Sequence, residues 1–181
     1  ERLAQLRRDM AACGATHHVV STLDDIAWLF NLRGADVPYN PVFLAHALID
    51  DQEAVLFMAD GKVSPALQAA LAADGVRIAA YAQAGPALAA LPAKARLLLD
   101  PRRLTLGLRQ QVRDGRAGTV QVIEATNPST LRKSRKTAAE AAHIRAAMAQ
   151  DGAAMCVFYA WLEQALADPA QASHLTELTI D

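Results

Sequence analysis

At 181 residues, with 52% hydrophobic side chains and a formal net charge of −1, the chain suits one packed domain with an appendage and is too short for two ordinary domains. That composition excludes a disordered tail, and the near-neutral charge offers little to a nucleic acid or an anionic membrane surface. No stretch approaches the roughly 18 unbroken apolar residues of a membrane-spanning helix, and residues 1–8 lack the apolar core of a signal peptide. The chain opens without Met, as a piece of a longer protein would. Cys13 and Cys156 have no ligand-like spacing and are expected as small buried hydrophobes in a reducing compartment.

Helical and extended patterns alternate along the chain. Leu3 and Leu6 share one face of an opening helix that should end at Gly14, a favourable residue just past a helix C-terminus. Residues 16–21 (THHVVS) read as a short strand. Thr22-Leu23-Asp24-Asp25 resembles a capping box, with Thr22 at the N-cap and Asp25 reaching back, and the helix it opens should stop near Arg33-Gly34. Pro38 and Pro41 make residues 35–41 an irregular loop. Residues 42–49 and 54–58 predict an antiparallel hairpin across Asp50-Asp51-Gln52. Next come a helix over 64–73 opened by Ser-Pro, a strand over 76–81, a short helix over 86–91 and a buried strand over 95–99. A helix over 104–112 and a last strand over 119–123 complete an α/β unit, a mixed six-stranded sheet flanked by helices on both faces.

Composition shifts at Asn127-Pro128-Ser129. Arg132, Lys133, Arg135 and Lys136 follow; a phosphate-binding patch is one reading, but they are expected rather as a solvated linker or as partners of distant acids. A second capping box, Thr137 to Glu140, then opens one long helix that ends at Asp168-Pro169. Its apolar positions Ile144, Met148, Met155, Phe158 and Leu162 predict a stripe, and Gly152 a weak point midway. The expected domains are residues 1–128 and 129–181, the second holding a linker and the first helix or helices of a further domain.

Few residues suggest local chemistry. His17 and His18 are adjacent on a strand, so they point to opposite faces and cannot chelate one metal. His46, His143 and His174 are scattered, and no Gly-rich phosphate loop, nucleophile elbow or zinc-binding helix pattern occurs. A thiol enzyme using Cys156 fails because that residue sits in a helical apolar pattern with no nearby His. Residues 23–42 differ in kind. They carry Trp28 and Phe30 on a short helix, expected as core, and deliver Arg33 and Asp36 to a proline-fixed loop. Those two residues either form a simple ion pair or serve binding, as residues on rigidly held loops often do.

The run LDDIAWLFNLRG (23–34), continuing through Asp36-Val37-Pro38 and Asn40-Pro41-Val42-Phe43, resembles the second domain of the three-domain Xaa-Pro aminopeptidases, peptidase family M24. Leu131-Arg132-Lys133-Ser134, Glu140, Arg145, 151–154 (DGAA) and 161–163 (WLE) are similar to the helix that opens their catalytic domain. Thr176-Glu177-Leu178 resembles the start of its next helix. The resemblance implies a creatinase/prolidase N-terminal-like fold followed by one long helix. It also implies a cytoplasmic metalloprotease parent, a hydrolase that removes the residue preceding proline from proline-containing peptides. Two divalent ions, manganese by family usage, would activate a bridging water there, held by two Asp, one His and two Glu. None of the acids or histidines in 126–181 stands in those ligand motifs. No catalytic residue, metal ligand or cofactor is therefore expected in this chain, which would shape the active-site cleft and subunit contacts. Arg33 and Asp36 are the expected substrate-cleft rim. The apolar stripe of the long helix is expected either to fold back on its own domain or, in preference, to pair with a second copy as a homodimer, with no nucleic-acid or membrane partner. The alternative is a non-catalytic peptidase-like module kept for protein binding.

Overall fold

The computed structural model describes residues 1–114 and 120–180. Thr119, the expected first residue of the last strand, lies outside them. The described residues form two compact units, Glu1–Ser134 and Arg135–Asp181.

The first unit is built on a six-stranded mixed sheet. Its strands are β1 (His17–Val20), β2 (Ala45–Ile49), β3 (Ala54–Met58), β4 (Val76–Ala80), β5 (Arg96–Leu99) and β6 (Gln121–Glu124), in the order β4-β3-β2-β1-β5-β6. The β1–β2 and β2–β3 pairs are antiparallel, and β3–β4, β1–β5 and β5–β6 are parallel. The hairpin expected around Asp50 is thus present, with Asp50 Oδ1 accepting from the Gln52 and Glu53 amides.

Two apolar layers sandwich this sheet. On one face Val20, Ala47, Ile49, Leu56 and Leu98 pack with Leu6 and Met10 of α1 (Arg2–Ala12), Ile26 and Leu29 of α2 (Leu23–Phe30) and Leu71 of α3 (Pro65–Ala73). On the other, Val19, Leu97 and Leu99 pack with Leu88 of α4 (Ala84–Ala89) and Val112 of α5 (Leu106–Asp114). β2 shows why: buried and half-buried residues alternate along it, as the two-residue period of a strand demands.

The local rules account for most boundaries. Past α1, Gly14 takes φ +76, a conformation that costs a residue with a Cβ but not glycine. Ser64 caps α3 by accepting from the Leu67 amide, with Pro65 at the first helical position. The strand expected from Val42 begins only at Ala45, because the Val42 carbonyl accepts from the Asp36 amide and is spent on the loop.

Trp28 packs against the core as expected, partly buried, and carries the Arg2 guanidinium 4.5 Å above its ring. Its truncation should cost toward the lower end of the ~3–5 kcal/mol of a buried aromatic. Two expectations fail. Both cysteines are exposed. Cys13 caps α1, where its Sγ donates to the Met10 carbonyl, and Cys156 stands on the surface of a long helix. The first capping box also does not form.

What replaces that box fastens α6 (Pro128–Ser134) onto α1 and α2. Thr22 Oγ1 accepts from Asn127 Nδ2 at 3.1 Å, and Asp25 Oδ2 accepts from Thr130 Oγ1 at 2.7 Å. Lys133 pairs with Asp24 and, at 2.9 Å, with buried Asp25, while Arg132 Nη2 donates to Asp9 Oδ1 at 2.6 Å. Of the four cations expected in a solvated linker, these two are partners of distant acids. The Arg132 hydrogen bond holds the Asp9 carboxyl below its usual pKa.

The second unit is dominated by α7 (Ala138–Ala167), a 30-residue helix followed by α8 (Pro169–Ala172). At 1.5 Å per residue α7 is about 45 Å long. The second capping box is complete: Thr137 Oγ1 accepts from the Glu140 amide and Glu140 Oε2 accepts from the Thr137 amide. The expected single stripe is not what the helix presents. Met148, Met155, Val157, Tyr159, Trp161 and Leu166 are all exposed. Val157 lies about 200° around the axis from Met155, so apolar side chains occupy opposite sides.

Candidate functional site

The loop between α2 and β2 is held from both ends. Asn31 ends α2 in the left-handed conformation, φ 55. Arg33 then turns back, its Nη1 donating to the carbonyls of Ala27 at 3.0 Å and Leu32 at 2.8 Å, so a cation sits where the helix dipole favours one. Gly34 is required by close approach, because a Cβ there would lie 2.7 Å from Phe43 Cβ. Its amide donates to the Pro41 carbonyl.

Asp36 closes the other side. Its Oδ2 accepts from the Leu44 amide at 2.7 Å and pairs with Lys62. The Lys62 hydrogen bond, helped by the Leu44 amide, holds its carboxyl below the ordinary pKa. Between these anchors a one-pair bridge, Val37 to Asn40, tightens the turn. Tyr39 at its tip takes φ 59 and is 98% exposed. A residue with a Cβ pays for that conformation, so the turn is imposed by its surroundings.

Arg33 and Asp36 thus share one loop but form no pair with each other; Asp36 takes Lys62 instead. Nothing in the local sequence names Lys62, which lies 26 residues downstream. Arg33, Asp36 and Lys62 edge a cavity of about 200 Å³ whose wall includes Leu32, Phe43, Met58 and Leu67. It is a small apolar recess with charged lips.

The histidines lie elsewhere. His18 is fully buried on the face of β1 that carries Val20, and His17 takes the opposite face. His18 Nδ1 stands 2.9 Å from the Leu98 carbonyl, which can only accept, so Nδ1 carries the proton of the neutral ring. Burial pushes this imidazole down to about 4. His46 bonds Ser21 Oγ and stacks 4.8 Å from Tyr81. Among the described residues, no group of three or more His, Cys, Asp or Glu side chains is placed to hold a metal ion. The described residues therefore do not fit a metal centre. Also among them, no helix is long and apolar enough to cross a membrane.

Known proteins supply the wider context. The protein named "Probable Xaa-Pro aminopeptidase P" in Penicillium rubens is 36% identical over 177 residues, covering 92% of this chain and 27% of that protein. Its namesake in Aspergillus fumigatus is 36% identical over 175 residues, with 92% and 26% covered. The chain thus spans about a quarter of the length of the curated relatives it matches. Among solved structures, the X-prolyl aminopeptidase of Caenorhabditis elegans, described as a cytosolic enzyme with a di-nuclear active site, superposes with a TM-score of 0.77. That match is 23% identical and covers 91% of this chain and 27% of that one, a likeness of fold. The profile of the Creatinase/Prolidase N-terminal domain matches residues 1–140, and the chain belongs to that family.

Proposed function

We propose that this chain is a region of a cytoplasmic Xaa-Pro aminopeptidase, in which it serves as a non-catalytic wall of the active-site cleft. The observation that carries the reading is 36% identity to proteins of that name over 92% of the chain, together with the shared fold. Substrates are peptides with proline in second position. Two divalent ions, manganese by family usage, would be held by residues outside this chain. Residues 1–128 form the cleft-wall domain, and residues 129–181 connect it to the catalytic domain and begin that domain.

The rim role rests on the loop that carries Arg33 and Asp36. Asp36 and the Nη1 of Arg33 fix that loop, so the rim acts on substrate through the loop's shape and through Tyr39 at its tip. The apolar surface around α7 supports a helix that is covered on several sides in the parent, in its catalytic domain or in a homodimer contact.

The experiment is hydrolysis by the longer protein that contains this chain. It should release the first residue of an Xaa-Pro peptide and lose that activity to a chelator. The chain of 181 residues alone should neither cleave nor carry stoichiometric metal. A folded longer protein that leaves such peptides intact would favour a peptidase-like binding module instead.

A further inference from the structure

The recess beside Arg33 has the makings of a ligand site in its own right, independent of the peptidase reading. Its wall is apolar, from Leu32, Phe43, Met58, Val63 and Leu67, and its volume of about 200 Å³ lies below the ~300–1,000 Å³ of pockets for drug-sized molecules. Such a space suits one amino-acid-sized apolar group. The charged groups at its lip do not cancel. Asp36 and Lys62 pair with each other, which leaves Arg33 as the uncompensated charge.

Arg33 is also pre-positioned. Its Nη1 is committed to the Ala27 and Leu32 carbonyls, while Nε and Nη2 donate to no acceptor among the described residues. A guanidinium anchored at one nitrogen, with an N–H edge left over, matches the two oxygens of a carboxylate. We propose that this recess binds a small carboxylate with a branched apolar body, its side chain against Phe43, Met58 and Leu67 and its carboxylate on Arg33. The carboxylate belongs either to a free amino-acid derivative or to the C-terminal residue of a peptide.

The probes are N-acetyl-L-leucine and N-acetyl-L-leucinamide, which differ only in the carboxylate, titrated into the 181-residue chain and followed by amide chemical shifts. The acid should bind saturably at roughly millimolar concentration, with shifts centred on residues 32–36, 43 and 62–67. The amide should bind about tenfold more weakly, the usual worth of one charge-assisted contact. Arg33→Met should make acid and amide bind alike. Leu67→Phe, which fills the recess and leaves Arg33 in place, should abolish binding of both with an unchanged circular dichroism spectrum. A hexapeptide ending in leucine separates the sources: binding as tight as the acid assigns a peptide C-terminus, and exclusion of the peptide assigns a free small acid. Equal binding of acid and amide to the unaltered chain, or no saturable shift around the recess, would overturn the site.

Discussion

Two helices of this protein open with the same short signature, and only one of them uses it locally. At the start of α7, Thr137 and Glu140 exchange hydrogen bonds with each other's amides and the cap is complete within four residues. At the start of α2, Thr22 and Asp25 stand in the same relation, but their side chains face other partners more than 100 residues away, Asn127, Thr130 and Lys133. The difference lies in the surroundings. Asp25 is 1% exposed beneath α6, whereas Glu140 stands at the border of solvent. A buried carboxylate must be matched by strong donors, and a lone backbone amide is a poorer match than an ammonium and a hydroxyl. A capping signature is therefore a local rule that tertiary contacts override once its residues are buried.

The largest effect should come from Asp25→Ala, which strands a partly buried ammonium and the Thr130 hydroxyl. Breaking a buried pair from one side costs about 3–5 kcal/mol; Lys133 keeps Asp24, so the loss should fall toward the lower end. Urea denaturation that shows less than about 1 kcal/mol would mean that α6 is held by apolar contacts alone.

Next in size is a pH effect on the same side of the sheet. The His18 ring is neutral in the fold, with its pKa at about 4 against 6.5 for an exposed imidazole. Between those values the unfolded chain binds a proton that the folded chain does not, so stability falls as pH drops from about 6.5 to 4 and His18 adds no further loss below that. The full loss is on the order of 3 kcal/mol. His18→Gln, which keeps a donor for Leu98, should flatten that window only. The carboxylates Asp9, Asp24 and Asp36, all with lowered pKa values, lose their contribution below the window, as pH falls under about 4. Identical profiles for the two proteins between pH 4 and 6.5 would refute the buried neutral ring.

The smallest effect sharpens the comparison most. Thr137→Ala should cost about 1 kcal/mol and appear as faster hydrogen exchange in the first turn of α7. Thr22→Ala should cost about twice that, because it leaves the Asn127 amide buried without its acceptor. Equal costs would mean that both threonines act as ordinary caps.

These contrasts also show which features were legible in the amino-acid order. Alternating burial in β2, the Asp50 hairpin, the glycine after α1 and the Thr137 cap all follow from short-range patterns, and each was readable. The candidate loop was readable too, through its two prolines and its Arg33 and Asp36. What was not readable depends on pairs distant in the chain. Asp36 meets Lys62 only because β2 and β3 fold back on each other, and Arg132 meets Asp9 only because α6 lies on α1. The misplacement of Cys13 has a smaller cause: it is a helix cap, and caps sit at surfaces.

The functional assignment meets its most direct test in the specificity of the longer protein. Its kcat/KM for Ala-Pro-Ala and for Ala-Ala-Ala should be compared under the same metal conditions. A ratio favouring proline by on the order of a hundredfold or more is the predicted result, since a cleft built for proline discriminates through its transition state. Comparable rates on the two peptides, or cleavage of the tri-alanine alone, would contradict the assignment to the Xaa-Pro aminopeptidases.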